Sequence, residues 1–173
     1  MRFAYADPPY IGMAKRFYSA DPKCAEVDHA VLIAHLEGAY PDGWCLSLSV
    51  NTLPEILAMC PPHPRCRVMA WVKPFASFKP GVGLAYAWEP VIIAGGRKRS
   101  KKERTTRDWH SANITMRKGL TGAKPKSFCH WLLDALNFQP GDELDDLYPG
   151  TGVMGDCVRE RSGVAPVSCE LFA

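Results

Sequence analysis

The feature that most constrains the fold is the alternation of short apolar segments with amphipathic segments along almost the whole chain. Apolar segments of strand length lie at residues 2–6, 44–50, 67–73, 86–94, 143–147 and 165–171. Segments with helical spacing lie between several of them, at residues 28–40, 52–59, 127–137 and 153–161. This alternation predicts an α/β fold in which helices cover both faces of one sheet. A chain of 173 residues can bury the core of one such domain, so we expect residues 1–173 to form a single domain.

Composition narrows the class of protein without identifying a partner. Apolar residues make up 47% of the chain and charged residues 23%, and the formal net charge is +3, all ordinary for a globular domain. No apolar run approaches the roughly 18 residues of a membrane span, and the N-terminal sequence lacks the features of a secretion signal. The seven cysteines are scattered and odd in number. We therefore expect a cytoplasmic protein with reduced thiols.

The tetrapeptide Asp7-Pro8-Pro9-Tyr10 directly follows the first predicted strand. Its prolines fix the local backbone and lack N–H donors, so a carboxylate, a rigid carbonyl and an aromatic ring would meet at the carboxyl end of that strand, where ligands bind in open α/β sheets. Asp7 and the Pro8 carbonyl could each accept one N–H of an aromatic amine, which favours a pyramidal nitrogen with a free lone pair. Tyr10 could stack on a base flipped out of its helix. By itself, the tetrapeptide is equally compatible with an ordinary proline-rich turn.

A glycine-containing loop, Asp146–Gly152, lies at a second junction between a predicted strand and a predicted helix. Glycines at such a junction let the backbone approach a ligand closely. Glu170 lies at the end of the next predicted strand, where an acidic residue holds ribose hydroxyls in nucleotide-binding α/β folds. No Gly-Lys-Ser or Gly-Lys-Thr sequence is present, which excludes a P-loop.

In their order along the chain, these segments resemble the DNA amino-methyltransferases that modify adenine N6 or cytosine N4, in the circular order that places the catalytic motif first. Asp7-Pro8-Pro9-Tyr10 matches the family's catalytic motif, and Asp146–Gly152 matches its cofactor loop, Asp-Pro-Phe-x-Gly-Ser-Gly. The segments between them that resemble the family are Trp71-Val72-Lys73, Trp88–Ile93, Lys124-Pro125 and Pro140-Gly141-Asp142. The resemblance therefore extends over nearly the whole chain.

The resemblance implies a Rossmann-like class I methyltransferase fold, with a mostly parallel, seven-stranded sheet and helices on both faces. It also implies S-adenosylmethionine (SAM) as the cofactor, with its methyl group toward Asp7. The residues expected to contact SAM are Asp7, Lys124, Asp146, Tyr148, Gly150, Thr151, Gly152 and Glu170, and the catalytic residues are Asp7, Pro8, Pro9 and Tyr10. The implied reaction is direct methyl transfer to the exocyclic amine of adenine in DNA, since Asp at the first position of the tetrapeptide favours adenine over cytosine.

The most basic part of the chain is Arg97–Arg107, called the basic segment below, within a polar stretch at about residues 95–123. It holds seven cations in eleven residues, opposed only by Glu103. These cations are Arg97, Lys98, Arg99, Lys101, Lys102, Arg104 and Arg107, and Trp109 follows them. Such clustering is typical of a contact with nucleic-acid phosphates, although many charged runs are solvated loops. Because the stretch occupies the position of the family's target-recognition segment, we predict an insertion that binds DNA, with RNA possible.

Three alternatives stay open from the sequence. Cytosine N4 or an RNA adenine could replace DNA adenine as the target. Asp145 stands where the family has an apolar residue, Leu147 replaces its proline, and few residues follow Glu170, so the chain could instead be a catalytically inactive nucleic-acid-binding protein with the same fold. A monomer and a homodimer are both compatible with the chain.

No metal is expected at Cys60, His63 and Cys66, because only three ligands lie close together and a structural zinc needs four.

Overall fold

A computed structural model of the chain describes residues 1–11, 27–75, 80–117 and 120–163, and of these it describes only the backbone for 116, 117 and 120–122. Eight strands and four α-helices form within these residues. The strands are β1 (Arg2–Ala6), β2 (Gly43–Ser47), β3 (Cys66–Val72), β4 (Trp88–Gly95), β5 (Trp109–Ser111), β6 (Thr115–Arg117), β7 (Leu120–Ala123) and β8 (Glu143–Asp146). The α-helices are α1 (His29–Ala39), α2 (Leu53–Met59), α3 (Lys126–Leu136) and α4 (Val153–Ser162). The predicted alternation is confirmed, whereas the strands β5, β6 and β7 were not predicted from the sequence.

Six of the strands form one sheet in the order β5-β3-β4-β2-β1-β8, and β6 pairs with β7 in a separate hairpin. β4 runs antiparallel to β2 and β3, while the pairs β1–β2, β1–β8 and β3–β5 are parallel. The described residues thus form a mixed sheet of six strands, not the predicted seven, in which three of the five pairings are parallel and β4 alone runs against its neighbours. The connection from β3 to β4 holds no helix in its described residues, and consecutive strands without a crossover helix pair antiparallel. The predicted last strand, at 165–171, lies outside the described residues.

Alternation along the central strands divides the core into two layers. On β1, Phe3 and Tyr5 belong to the layer that includes residues of α3 and α4, whereas Ala4 and Ala6 belong to the layer that includes residues of α1 and α2. This follows from the period of two in a strand, which sends successive side chains to opposite faces. Helices therefore cover both faces of the sheet, as predicted.

The first helix, α1, begins directly after its capping residue, Asp28. Asp28 Oδ1 accepts hydrogen bonds from the backbone N–H groups of Ala30 (3.0 Å) and Val31 (3.1 Å). Leu32 and Leu36 are buried, whereas Val31 is 65% exposed and lies on the outer face of α1. No helix in the described part of the chain is long and apolar enough to cross a membrane.

The strand order creates a crevice between β1 and β8. These strands are parallel neighbours, so their carboxyl ends lie at the same edge of the sheet, called the carboxyl edge below; the opposite edge is the amino edge. The next described helix after β1 is α1, on one face, and the helix after β8 is α4, on the other face. Neighbouring strands whose connections leave toward opposite faces open a crevice where ligands bind in such sheets. Asp7 and the loop after Asp146 follow these two strand ends directly.

Candidate active site

Asp7 is held by a lysine from a distant part of the chain. Its two carboxylate oxygens lie 2.8 and 3.0 Å from Lys124 Nζ. β1 ends one residue before Asp7, and Lys124 lies between β7 and the start of α3, which packs on the same sheet. The Lys124 side chain is only 9% exposed, and a buried ammonium without a carboxylate partner would be strongly unfavourable. The fold thus brings two predicted site residues into direct contact.

A second carboxylate, that of Glu89 near the start of β4, joins this pair. Its Oε1 accepts a hydrogen bond from Lys73 Nζ at 2.6 Å, and its Oε2 accepts one from the Tyr10 hydroxyl at 3.0 Å. Glu89 Oε2 also lies 3.8 Å from Lys124 Nζ. Asp7, Tyr10, Lys73, Glu89 and Lys124, called the charged cluster below, therefore form one continuous network at the carboxyl edge.

The charges in the cluster stabilise one another. Burial opposes the charge of Glu89, but Lys124 and Lys73 outweigh it and hold the pKa of Glu89 below its ordinary value. Burial likewise opposes the charge of Lys124, but Asp7 and Glu89 raise the pKa of Lys124 above its ordinary value. Both lysine ammonium groups also lie 5.5 Å from the centroid of the Trp71 ring, whose negative face attracts cations. Glu89 and Lys124 are consequently ionised at neutral pH, with their partners fixed in place.

Tyr10 enters the cluster through its hydroxyl. Burial, followed by the negative charges of Asp7 and Glu89, raises the pKa of Tyr10 well above its ordinary value, so the hydroxyl stays protonated and donates to Glu89. Pro8 is buried and Pro9 is half-buried between the two functional ends of the tetrapeptide. Stacking of the Tyr10 ring on a base stays a prediction.

Asp146, the last residue of β8, adds a third carboxylate at the crevice. Burial raises the pKa of Asp146 to about 6, the Tyr148 N–H partly offsets the increase by donating to its Oδ1 at 3.3 Å, and the charge of Asp7 adds to it. Asp7 and Asp146 are thus close enough for their charges to interact. When Asp146 is ionised, three carboxylates face two ammonium groups, and this excess of negative charge favours a cationic ligand.

The loop after Asp146 enters α4 through two glycines in the left-handed region of backbone conformation. Gly150 has φ of 48° and Gly152 has φ of 73°, values that L side chains rarely adopt. Among the described atoms, a Cβ built at Gly152 would meet open space, and one at Gly150 would meet only the Tyr148 carbonyl oxygen, at 3.9 Å. The backbone conformation therefore requires glycine here, and the open space beside it suits the close approach of a ligand.

A small cavity of about 90 Å³ lies beside this loop, lined by residues that include Lys124, Lys126, Thr151 and Asp156. The amino ends of α3 and α4 both lie at the cavity, and within the described chain neither helix has a side-chain cap. Uncapped helix amino ends and ammonium groups favour an anionic group such as a carboxylate. Pockets for whole cofactors are usually several hundred cubic ångströms, so this cavity fits one end of a larger ligand.

The remaining sequence-based site residues have different outcomes. Tyr148 lines an open groove of about 300 Å³ along α1, together with Leu32 and His35. Asp145 Oδ2 accepts hydrogen bonds from the Arg2 guanidinium at 2.6 Å and from the Tyr40 hydroxyl at 2.8 Å, so a polar residue fits at this strand position. Glu170 lies outside the described residues.

The basic segment begins at the amino edge, opposite the charged cluster. β4 runs from Trp88 to Gly95, and the next residue, Gly96, donates its N–H to the Asp42 carbonyl oxygen, just before β2, at 2.8 Å. Arg97 donates to both carboxylate oxygens of Asp142, just before β8, at 2.6 and 2.8 Å. The fold therefore separates the start of the basic segment from Asp7, and its contact with nucleic acid stays a prediction.

Two members of the charged cluster, Glu89 and Lys73, were not among the site residues inferred from the sequence. Both belong to segments that resemble strands of the methyltransferase family, but the resemblance implied no role for these two residues. A signal was nevertheless present: Glu89 stands at the start of a strand whose other residues are mostly apolar, and a carboxylate there needs a charged partner. The antiparallel pairing of β3 with β4 places Trp71 opposite Glu89 and so brings Lys73, one of its partners, close to it.

Comparison with known proteins supports the fold. No family model and no curated protein matches the sequence. A structure of M1.HpyAVI in complex with SAM is similar with a TM-score of 0.58 and 12% sequence identity, and the match covers 93% of this chain and 78% of that chain. A second structure, of M1.HpyAVI, is similar with a TM-score of 0.58 and 14% identity over 92% of this chain and 76% of that chain. At such identities the similarity is one of fold.

Proposed function

We propose that this protein is a SAM-dependent methyltransferase that modifies the exocyclic N6 amine of adenine in DNA. The observation that carries the proposal is the Asp7–Lys124 pair at the crevice between β1 and β8, joined to Glu89 and Tyr10. The crevice thereby brings together a carboxylate held in place, an aromatic ring and a neighbouring glycine loop, the three parts that methyl transfer to a base amine requires. The likeness in fold to a protein solved in complex with SAM supports the same assignment.

Asp7 would orient the target amine. An ionised carboxylate has about four lone-pair sites, and Lys124 uses one on each oxygen, so Asp7 keeps acceptor positions for an N–H of the substrate. The Pro8 carbonyl would accept the second N–H. Two acceptors draw the nitrogen lone pair out of conjugation with the base, and Asp7 is placed to receive the proton that the amine loses after transfer.

The residues at the crevice fit the chemical groups of SAM. Bound SAM supplies a methyl group activated on a positively charged sulfur. The excess negative charge from Asp7, Glu89 and Asp146 would stabilise that cation when Asp146 is ionised. The cavity at the amino ends of α3 and α4 would hold the carboxylate of its amino-acid end, and Asp146 would accept from its ammonium group.

Lys124 would position Asp7 for this reaction. Its Nζ bonds both Asp7 oxygens and lies 3.8 Å from Glu89, so the carboxylate cannot rotate without breaking an ion pair. Glu89 in turn holds the Tyr10 hydroxyl, which fixes the outer end of the ring that would stack on the flipped base. Positioning residues of this kind reduce the motion that a reaction must otherwise restrict.

Mass spectrometry of nucleosides tests the proposal directly. Purified protein is incubated with SAM carrying an isotopically labelled methyl group and, in separate reactions, with unmethylated DNA or with RNA, and each nucleic acid is then digested to nucleosides. We expect labelled N6-methyladenine from the wild-type protein and none from a folded Asp7→Asn variant, which keeps the shape of the side chain without its charge. Labelled N4-methylcytosine, labelled RNA only, or no labelled nucleoside from either substrate would each contradict the proposed target.

A further inference from the structure

The basic segment is folded against the protein by two of its own arginines. Arg97 binds Asp142 through both carboxylate oxygens, and its backbone N–H donates to the Leu136 carbonyl oxygen at 2.9 Å. The Arg99 guanidinium donates to the Arg104 carbonyl oxygen at 3.0 Å and also to the Asp134 carbonyl oxygen at the end of α3. These two arginines are engaged in holding the loop.

The acidic residue in the segment serves the same purpose. Glu103 accepts hydrogen bonds from the Ser100 N–H at 2.5 Å and from the Asn137 side chain, Nδ2, at 3.1 Å. The backbone hydrogen bond and the side-chain bonds of Glu103 lower its pKa, so this carboxylate stays ionised and bound within the loop. The segment therefore has a defined shape on the surface of α3.

That shape directs the other cations to solvent. The exposed cations of the segment are Lys98, Lys101, Lys102, Arg104 and Arg107. Trp109, which follows on the edge strand β5, is 46% exposed, and the Arg107 guanidinium lies 5.4 Å from the centroid of its ring. Five cations beside an exposed aromatic ring form a surface that fits a nucleic-acid backbone.

The start of this surface is far from the charged cluster, whereas its other end is not, because Trp109 pairs with Ala70 of β3, which lies opposite Pro90, the residue after Glu89. Glu89 and Gly95 are six residues apart on β4, which corresponds to about 20 Å along a strand. Lys98, Lys101 and Lys102 follow Gly95 beyond the amino edge, whereas Asp7 lies at the carboxyl edge. Since successive base pairs are about 3.4 Å apart, this separation spans about six base pairs of duplex.

We propose that the start of the basic segment, which carries Lys98, Lys101 and Lys102, is a remote anchor that binds phosphates about six base pairs away from the target amine. The inference rests on the proposed function, since it places that amine at Asp7. Phosphate contacts hold the substrate without reading its sequence, so the anchor sets affinity and register and leaves the chemistry to the charged cluster. An anchor at this distance acts only on substrates long enough to reach it.

The test compares long and short duplexes in a triple variant, Lys98→Ala, Lys101→Ala and Lys102→Ala. Its matched control replaces the same three lysines with arginine and so keeps the charge. Affinity is measured by fluorescence anisotropy over a range of salt concentrations, on duplexes with arms of about fifteen or about four base pairs around the target adenine. Turnover is measured on the same duplexes at saturating SAM.

On long duplexes we expect the alanine variant to lose up to about 0.9 in salt slope for each lysine that contacts a phosphate, while the arginine variant matches the wild type. On short duplexes all three proteins should bind with the same slope and turn over within about twofold of one another. An equal loss on both lengths would place the contact next to the target and overturn the anchor, and no loss on either would show a solvated loop. If no protein methylates either duplex but the length-dependent slope is present, the anchor stands and the proposed reaction fails.

Discussion

The two edges of the sheet both concentrate charge, but they do so in opposite ways. At the carboxyl edge, Lys124 is 9% exposed and Glu89 is 22% exposed, and their charges are paired within a fixed network. At the amino edge, Arg97 and Arg99 of the basic segment make internal contacts, whereas Lys98, Lys101 and Lys102 are exposed to water. Buried, paired charges keep side chains in the fixed positions that catalysis requires, whereas exposed cations attract counterions and phosphates whatever the nucleotide sequence. Perturbing the two edges should therefore change different measurable quantities.

The largest effect should come from Asp7→Ala at the carboxyl edge. Removal of the carboxylate that orients the amine should lower the turnover number by about a hundredfold to a thousandfold, a range typical for the loss of one aligned catalytic group. SAM affinity should stay within about fivefold of the wild type, because Glu89 and Asp146 would still face the sulfonium group after Asp7 is replaced. A variant that kept more than a tenth of wild-type turnover would contradict the assigned role.

A second comparison uses one buried and one exposed ion pair. Glu89→Gln leaves Lys73 and Lys124 without their shared carboxylate, so the free energy of unfolding should fall by about 3 kcal/mol. The control is Asp108→Asn, which breaks a pair with Arg67 whose side chains are 61% and 58% exposed, and the loss there should be below about 1 kcal/mol. Urea denaturation measures both. Equal losses would mean that the charged cluster is not held more tightly than an ordinary surface pair.

Replacing two neighbouring aspartates, Asp146 and Asp145, should change the melting temperature by smaller amounts and in opposite directions. The pKa of Asp146 in the folded protein, about 6, lies above the ordinary value, so its ionisation costs stability as the pH rises through that range. Asp146→Asn should therefore raise the melting temperature at about pH 8, and the gain should vanish toward about pH 4, where the wild-type carboxyl is protonated.

Asp145 provides the matched control. The hydrogen bond from Tyr40 has the largest effect on the pKa of Asp145 and lowers it. Burial raises this pKa, but Arg2 lowers it further, so the pKa of Asp145 lies below its ordinary value. The ionised form is the stabilised one, so Asp145→Asn should lower the melting temperature at about pH 8, and the difference should shrink as the pH falls through the folded pKa. Thermal unfolding across this pH range measures both variants, and shifts of the same sign would contradict the assigned environments.

The sequence predicted the elements that depend on local pattern. Arg2–Ala6 and the helix capped by Asp28 have clear periodicity and a clear cap, and both form at the predicted positions. Asp7 and Lys124 were also identified as site residues, because the resemblance places both of them near the cofactor. Local and family patterns were sufficient for these residues.

Properties that depend on pairing between distant segments could not be predicted in this way. The antiparallel pairing of β4 with β2, and the contact of Glu89 with Tyr10, depend on the order of the strands and on distant segments, which periodicity does not specify. The same applies to Arg97, whose partner Asp142 is 45 positions away. In the sequence Arg97 has the same charge pattern as Lys98, and only the fold distinguishes a structural cation from an exposed one.

Calorimetric titration with SAM tests the central claim, that the crevice between β1 and β8 is a SAM site served by Asp7. We predict one SAM bound per wild-type chain, near-normal binding to Asp7→Ala, and binding at least about tenfold weaker to a folded Gly152→Val variant, because valine at a φ of 73° strains the loop and fills the space beside it. Folded wild-type protein that gives no binding heat at millimolar SAM, yet still binds DNA, would contradict the account and show a nucleic-acid-binding protein without methyl transfer.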